Sequence, residues 1–295
     1  MSADQSSTTN FAGIEQPYCD QDTSKFTIIP VPYDLTTTYI PGTSKGPQAI
    51  LEASTHMELY DEELRKETYL AGIHTRKSIP VQAMQPEEML RMVADVVSSD
   101  MRSGRVQVVL GGEHSISLAP VQELMKLYPN MSVLQLDAHA DLRGSYEGTP
   151  YNHACVGRRI SERCPLVQAG VRSMSKEEAD FKQSSQVLTF SDYDFKDSAG
   201  TFDAILEELT DDVYLTLDLD VLDPAIMPSV GTPEPGGLGW YEILAFLRIL
   251  STRKRIVSFD VVELAPQPGN IAPDFLAAKL IYRIMGYIAE SQGWL

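Results

Sequence analysis

The sequence predicts an α/β fold in which helices cover both faces of a parallel sheet. Six short runs of apolar or β-branched residues have the length and composition of strands that are buried on both faces. Segments with a helical spacing of apolar residues lie between these runs, and strands that alternate with helices are typical of doubly wound α/β proteins. The predicted strands are residues 26–31, 106–110, 132–136, 166–169, 213–217 and 256–260.

Local signals mark the predicted helices. The first, residues 46–65, follows the segment PGTSKGP, and the second, residues 86–102, has Pro86 in its first turn, where the missing N–H has no intrahelical partner to lose. The start of the chain is rich in Ser, Thr, Asn and Gln, so residues 1–24 are predicted to be a flexible tail. Residues 25–295 are expected to form a single domain. The other predicted helices are residues 117–128, 175–183, 202–210, 240–252 and 273–291.

Composition excludes several classes of partner. The net charge is −17, with 41 acidic against 24 basic residues, which disfavours nucleic acid because no basic stripe is available to neutralise phosphates. No apolar run approaches the roughly 18 residues of a membrane span. The N-terminus lacks the features of a signal peptide, and the three cysteines form no CxxC pair. We therefore expect a cytoplasmic protein with free thiols that binds neither nucleic acid nor membrane.

Two acidic strings directly follow predicted strands. Asp137-Ala138-His139-Ala140-Asp141 follows SVLQL, and Asp218-Leu219-Asp220 follows VYLTL. Because side chains alternate faces along an extended chain, the acidic and imidazole groups of each string can converge on one side. Four carboxylates in one pocket would carry about −4, a charge that two divalent cations would balance.

A histidine in a glycine-rich turn lies at the end of another predicted strand. His114 belongs to GGEHS, directly after residues 106–110. Ligands of open parallel sheets bind beyond the carboxyl ends of the strands, where all three motifs lie. A mixed carboxylate and imidazole set suits a borderline-to-hard divalent metal, so the sequence predicts a two-metal site. Glu113 is either a carboxylate that orients a ligand or a charge in the first turn of a helix.

These motifs resemble the four conserved blocks of the ureohydrolase family, the arginases and agmatinases. The blocks are GGEHS, DAHAD, DLDVLDP and FDVVELAP, and the similarity extends over nearly the whole chain from about residue 26. The resemblance implies a three-layer α/β/α arginase-like fold with a central, mainly parallel sheet. It also implies a catalytic domain with two Mn²⁺ ions per subunit, the hydrolysis of a small cationic guanidino compound to urea and an amine, and a homotrimer or homohexamer.

The resemblance assigns roles to individual residues. Asp141, besides binding metal, would pass a proton to the leaving amine. Glu263 would pair with the substrate guanidinium, and His153 would shuttle protons. The residues after His153, Ala154-Cys155-Val156, depart from the Gly-Thr-type stretch of many members. The implied ligands of the first metal are His114, Asp137, Asp141 and Asp218, and those of the second are His139, Asp137, Asp218 and Asp220, with Asp137 and Asp218 bridging.

The substrate is predicted from the loop around His153. The stretch RGSYEGTPYNHACVGRRI is more like agmatinase loops than arginase loops, and a dication such as agmatine suits an acidic protein. Agmatine, giving putrescine, is therefore the predicted substrate, with Tyr146 and Glu147 as contacts for its distal ammonium. Guanidinobutyrate, aminopropylagmatine and arginine are the alternative substrates. A one-metal deacetylase and a non-catalytic metal-dependent binding protein are the alternatives outside the ureohydrolases.

Overall fold

The computed structural model describes residues 9–101, 104–195 and 198–295. Its strands are β1 Phe26–Val31, β2 Tyr60–Asp61, β3 Lys66–Glu67, β4 Ile73–Thr75, β5 Val106–Gly111, β6 Ser132–Leu136, β7 Leu166–Val171, β8 Leu188–Ser191, β9 Asp212–Asp218 and β10 Arg255–Val262. Its α-helices are α1 Gly46–Ser54, α2 Pro86–Asp100, α3 Leu118–Leu124, α4 Val156–Ser161, α5 Lys176–Ser184, α6 Asp192–Phe195, α7 Ser198–Glu208, α8 Trp240–Arg253 and α9 Ala272–Ser291.

One parallel sheet organises the described chain. Its eight strands run in the order β4-β1-β5-β10-β9-β6-β7-β8, and every neighbouring pair is parallel. The short strands β2 and β3 form a separate antiparallel pair. Since all eight strands point the same way, their carboxyl ends lie at one edge of the sheet, where polar residues can gather.

Helices cover both faces of the sheet and form two cores. Neighbouring residues of β5 show the division, because Val108 packs into one core and Val109 into the other, as alternation along a strand requires. Helices α1, α7, α8 and α9 contribute to the first core, and α2, α3 and α4 contribute to the second. The predicted three-layer α/β/α arrangement is confirmed.

The six predicted strands are confirmed as β1, β5, β6, β7, β9 and β10. Strands β4 and β8 were not predicted. They are the two edges of the sheet, with three and four residues. The residues of β8 are all partly or fully exposed, so this strand lacks the apolar run by which the central strands are detected.

The predicted helix over residues 46–65 is wrong beyond Ser54, where α1 ends. The chain then turns into the β2–β3 pair, in which Asp61 is fully buried. Its Oδ2 lies 2.9 Å from Nε of Arg283, a buried residue of α9. A buried ion pair between segments distant in sequence therefore overrides the local helical pattern.

The remaining helix predictions are confirmed with shifted ends, whereas the short helices α4 and α6 were not predicted. Residue 102, the predicted end of the second helix, lies outside the described residues. Helix α9 is the longest of those described, with 20 residues. None of the helices in the described ranges combines the length and the apolar character needed to cross a membrane.

The predicted flexible tail includes residues that pack on the core. Residues 1–8 lie outside the described residues, but Phe11 and Ile14 are buried. The Phe11 N–H donates to Thr75 Oγ1 at 2.9 Å, and the Ala12 N–H donates to Ser54 Oγ at 2.8 Å. The predicted boundary at residue 24 is therefore too late, because two apolar anchors precede it.

Gly112 allows the loops after β1 and β5 to approach each other. A Cβ at this position would lie 2.0 Å from the carbonyl oxygen of Tyr33 and within 3 Å of two more of its backbone atoms. The next residue, Glu113, donates its N–H to the same oxygen at 2.8 Å. Neither the backbone at Tyr33 nor that at Glu113 can move away without breaking this hydrogen bond.

We expect Gly112→Ala to lower the free energy of unfolding by at least about 3 kcal/mol, because the added methyl group overlaps backbone atoms that cannot rotate away. Urea denaturation followed by circular dichroism measures the change. Gly200→Ala is the matched control, since an added Cβ meets nothing within 4 Å in α7 and alanine favours a helix by about 1 kcal/mol. Equal stability of the two variants would contradict the proposed backbone contact.

Candidate metal centre and active site

The residues predicted to bind metal lie at the carboxyl ends of three strands. His114 begins the 3₁₀ turn that follows β5, Asp137 directly follows β6, and Asp218 is the last residue of β9. Asp220 lies in the 3₁₀ turn Leu219–Val221. These strands lie within a run of four neighbours in the sheet, β5-β10-β9-β6, so the fold brings the three motifs to one place.

The first group surrounds His114. Its Nδ1 lies 3.0 Å from Oδ2 of Asp137, 3.3 Å from Oδ2 of Asp218 and 3.3 Å from Oδ2 of Asp141. His114 is 1% exposed, and the three carboxylates are buried. His114, Asp137 and Asp218 offer ligand atoms that lie within 4.8 Å of one another, a set that a single cation can bind, and Asp141 lies beside it.

The second group surrounds His139 and shares Asp137 with the first. His139 Nδ1 lies 2.8 Å from Oδ2 of Asp220 and 3.7 Å from Oδ1 of Asp137. Asp137 therefore presents one oxygen to each histidine, the arrangement expected of a bridging carboxylate. The structure places Asp218 in the first group, so its second role as a bridge stays a prediction.

The convergence of the DAHAD residues has a different cause from strand alternation. Strand β6 ends at Leu136, the chain bends at Ala138, and Asp141 has a positive φ of 52°. His139 pairs with Ser173 as an isolated bridge, and the N–H of Arg172 donates to Ala138 O at 2.9 Å. A loop held by the segment after β7, and not an extended strand, therefore directs these side chains to the site.

The electrostatics of the first group fit a bound cation. Burial raises the pKa of Asp218 well above its usual range, and burial together with the charge of Asp137 raises the pKa of Asp141 to about 7. His114 Nδ1 is buried, and no hydrogen bond satisfies it. Burying carboxylates around an unsatisfied imidazole nitrogen costs free energy when no cation is bound. A divalent ion bound among them would offset this cost.

A polar chain behind His114 determines which ring nitrogen faces the carboxylates. His114 Nε2 lies 2.8 Å from Thr216 Oγ1, and this hydroxyl donates to Asp260 Oδ1 at 2.7 Å. Thr216 therefore accepts a hydrogen bond from Nε2–H, so the lone pair of the imidazole is on Nδ1. Tyr214 OH donates to the other oxygen of Asp260 at 2.6 Å. These supports were not predicted from the sequence, although polar residues within the apolar runs of β9 and β10 were a visible signal.

A cavity of about 290 Å³ opens onto both groups. Glu263, Asp141 and His153 line it, together with both histidines of the two groups. Glu263 has a φ of 67°, and its Oε1 accepts the His114 N–H at 2.7 Å. Burial lowers the pKa of His153 to about 4, so its imidazole is neutral near pH 7.

The outer part of the cavity differs from the sequence prediction. Tyr146 lines it, but Glu147 is not among the described residues that do so. Arg143 and Glu178 line it instead. Arg143 Nε lies 3.9 Å from Glu178 Oε2, and its guanidinium carbon lies 4.6 Å from the centre of the Tyr146 ring.

The comparisons with known proteins agree with this geometry. The profile described as "Arginase family" matches residues 24–286. The chain belongs to the arginase family. The resemblance seen in the four motifs is thereby confirmed, and the protein is an arginase-family ureohydrolase.

Relatives cover nearly the whole chain. The N(1)-aminopropylagmatine ureohydrolase of Synechocystis sp. is 39% identical, covering 90% of this chain and 89% of its own length. The enzyme of the same name from Thermus thermophilus is 36% identical, with 97% and 96% covered. The crystal structure of the agmatine ureohydrolase of Thermoplasma volcanium superposes with a TM-score of 0.86 at 31% identity and covers 97% of this chain and 96% of its own.

We expect Asp220→Asn to weaken the metal site around His139 while leaving the site around His114 occupied. Loss of a direct ligand should reduce affinity by more than the roughly 10–100-fold typical of outer-shell partners. Elemental analysis of the dialysed protein should give one ion per chain in place of two. Metal addition should also raise the melting temperature of the variant less than that of the wild type.

Asp223→Asn is the matched control for this variant. Asp223 lies three residues further along, and its Oδ1 accepts the Ala225 N–H at 2.8 Å within a turn. Its metal content should equal that of the wild type. Two tightly bound ions in Asp220→Asn would contradict the assignment of Asp220 as a metal ligand.

Proposed function

We propose that the protein hydrolyses a linear guanidino-amine to urea and an amine, with two Mn²⁺ ions bound by the ligands named above. The observation that carries the proposal is the pair of histidine–aspartate groups that share Asp137, at the base of a cavity that Glu263 also lines. Carboxylate oxygens and imidazole nitrogens suit manganese, although the same set accepts neighbouring divalent metals.

N(1)-aminopropylagmatine is the preferred substrate, and agmatine is the second. The two relatives at 36% and 39% identity carry the first name, whereas the solved structure at 31% identity carries the second. Agmatine is the substrate predicted from the sequence, and the names of these relatives favour the reverse order. Both compounds are linear polycations with one terminal guanidinium, so the acidic cavity suits both.

Each residue at the site has a proposed task. Bound cations would supply the positive charge that activates the attacking water and stabilises the negative charge that develops during attack. Glu263 accepts N–H groups of the substrate guanidinium, since its oxygens retain lone pairs beyond the one used by the His114 N–H. Asp141 accepts a proton from the nucleophile and passes it to the leaving amine, and His153 exchanges protons with solvent.

Arg143 gives a reason to test guanidino-acids as well. It is a cation within the cavity lining, and a substrate carboxylate would pair with it. Its contact with Glu178 at 3.9 Å offsets part of this charge. We therefore expect amines to be better substrates than acids.

We expect urea release from N(1)-aminopropylagmatine to have the highest kcat/KM, followed by agmatine, with guanidinobutyrate and arginine at least about 100-fold lower because a substrate carboxylate must compete with Glu178 for Arg143 in an otherwise acidic pocket. A colorimetric urea assay on manganese-loaded protein measures all four. A preference for arginine or guanidinobutyrate would overturn the substrate proposal. The absence of urea from every compound would leave the proposed hydrolysis unsupported and favour a binding protein.

We expect Glu263→Gln to lower kcat/KM by roughly 30- to 1000-fold, which corresponds to about 2–4 kcal/mol for a charged pair that loses one partner. The amide oxygen can still accept the His114 N–H, so metal content should not change. Glu147→Gln is the matched control and should leave KM unchanged, because Glu147 is not among the described residues that line the cavity. If Glu147→Gln changed KM and Glu263→Gln did not, Glu147 and not Glu263 would be the residue that binds the substrate.

We also propose that the protein is a homotrimer or homohexamer in the cytoplasm. An exposed apolar patch at the starts of α8 and α9, which includes Ile271 at 77% exposure and Phe275 at 40%, supports a subunit contact. Three cysteines without disulfides support a reducing compartment. Sedimentation equilibrium measures the oligomer, and a monomer at micromolar concentration would contradict it.

A further inference from the structure

A buried threonine connects the loop after β1 to the proposed proton carrier. Thr36 is 8% exposed, and its Oγ1 accepts the backbone N–H of His153 at 3.1 Å. The same oxygen lies 3.4 Å from Nδ1 of the His153 ring. No motif of the sequence marks Thr36, which lies among three consecutive threonines.

Glu113 determines the direction in which the Thr36 hydroxyl points. Its Oε1 accepts the Thr36 hydroxyl at 2.6 Å, and its Oε2 accepts the Thr36 N–H at 2.6 Å. Ser115 Oγ also donates to Oε1. The Thr36 N–H can only donate, and an ionised carboxylate can only accept, so beside ionised Glu113 both neighbouring hydroxyls, including that of Thr36, direct their hydrogens at its two buried oxygens.

The lone pairs of the Thr36 hydroxyl then decide which nitrogen of the His153 ring carries the hydrogen. A hydroxyl has one hydrogen and two acceptor lone pairs. Because the hydrogen is directed at Glu113, both lone pairs face His153, one toward its backbone N–H and one toward Nδ1 of its ring. A ring nitrogen that faces a lone pair must itself carry a hydrogen, which leaves Nε2 without one in the neutral imidazole.

Asn152 makes a second connection between the same two loops. Its Nδ2 donates to Thr36 O at 3.4 Å, and its Oδ1 accepts the Ala154 N–H at 2.9 Å, which caps the 3₁₀ turn His153–Cys155. Asn152 is 1% exposed. Thr36 and His153 are thus held together by backbone as well as side-chain contacts, and the imidazole has little freedom to turn away.

We propose that Thr36, oriented by Glu113, is a positioning residue that holds His153 as the Nδ1–H tautomer and presents Nε2 as the proton-accepting nitrogen of the cavity. The catalytic consequence rests on the proposed function, because it requires His153 to exchange protons during hydrolysis. The tautomer itself is a property of the hydrogen bonds and does not depend on the reaction. Thr36 and Glu113 contact no substrate in this proposal.

The tautomer is measured by ¹⁵N NMR of the full-length chain labelled in its five histidines. Spectra are recorded without metal and with zinc, since manganese broadens nearby signals, and a His153→Asn sample assigns the resonance. Wild type and Thr36→Ser, which keeps the hydroxyl, should show Nδ1–H at His153. Thr36→Val, which has the same shape without the hydroxyl, should shift His153 toward Nε2–H. An Nε2–H ring in the wild type, or an unchanged ring in Thr36→Val, would overturn the proposal.

Steady-state kinetics with agmatine and manganese test the consequence for turnover. We expect kcat of Thr36→Val to fall roughly 10- to 100-fold with KM nearly unchanged, and Thr36→Ser to recover most of it, because only the proton-transfer step is affected. An unchanged kcat with a shifted tautomer would overturn the positioning role. If the wild type released no urea from any guanidino compound, the proposed function would fail, while the NMR result would still decide the tautomer.

A second variant covers the case in which Thr36→Val does not fold, as judged by its melting temperature. Glu113→Gln replaces an acceptor by an amide that can also donate to Thr36 Oγ1, so it should release the Thr36 hydrogen toward Nδ1 and favour Nε2–H at His153. Retention of Nδ1–H in a folded Glu113→Gln would contradict the proposed direction of the hydrogen bonds.

Discussion

The repulsion among buried carboxylates at the carboxyl edge of the sheet is the constraint on which the rest of the site depends. Asp137, Asp218 and Asp220 are almost without solvent contact, and like charges gathered in a buried setting repel one another unless cations lie among them. The parallel sheet creates the constraint, because it directs the ends of β5, β6 and β9 to one edge. Metal binding and stability of the folded chain are therefore linked through the same groups.

Two histidines of the site are supported in the same way, by a threonine hydroxyl placed between the imidazole and a buried carboxylate. For His114 the chain is Thr216 and Asp260, which leaves Nδ1 directed at the ligand carboxylates. For His153 the proposed chain is Thr36 and Glu113, which leaves Nε2 for proton transfer. In both, the carboxylate is fully buried and accepts the hydroxyl hydrogen. The same threonine–carboxylate arrangement thus leaves Nδ1 of His114 free to bind metal and Nε2 of His153 free to transfer protons.

The sequence-based predictions of secondary structure were most accurate for the most deeply buried elements. Central strands such as β5 and β6 are buried on both faces, so their residues form the apolar runs that local reading detects. The edge strand β8 is partly exposed and has no such run. The helix predicted through residue 65 stops at Ser54 because the buried pair of Asp61 and Arg283 requires a different backbone there. Long-range pairing of this kind leaves no periodic signal in a local window.

Fold class, family and the identity of the residues that meet at the sheet edge can all be read from the sequence, since four motifs and their order are properties of the chain. Tertiary structure alone decided which atoms face one another. It placed one oxygen of Asp137 toward each histidine, excluded Glu147 from the described cavity lining and introduced Arg143. It also brought Thr36 to His153 across 117 residues of sequence. Such contacts arise from close packing between distant segments, and spacing along one chain cannot specify the direction of a hydrogen bond.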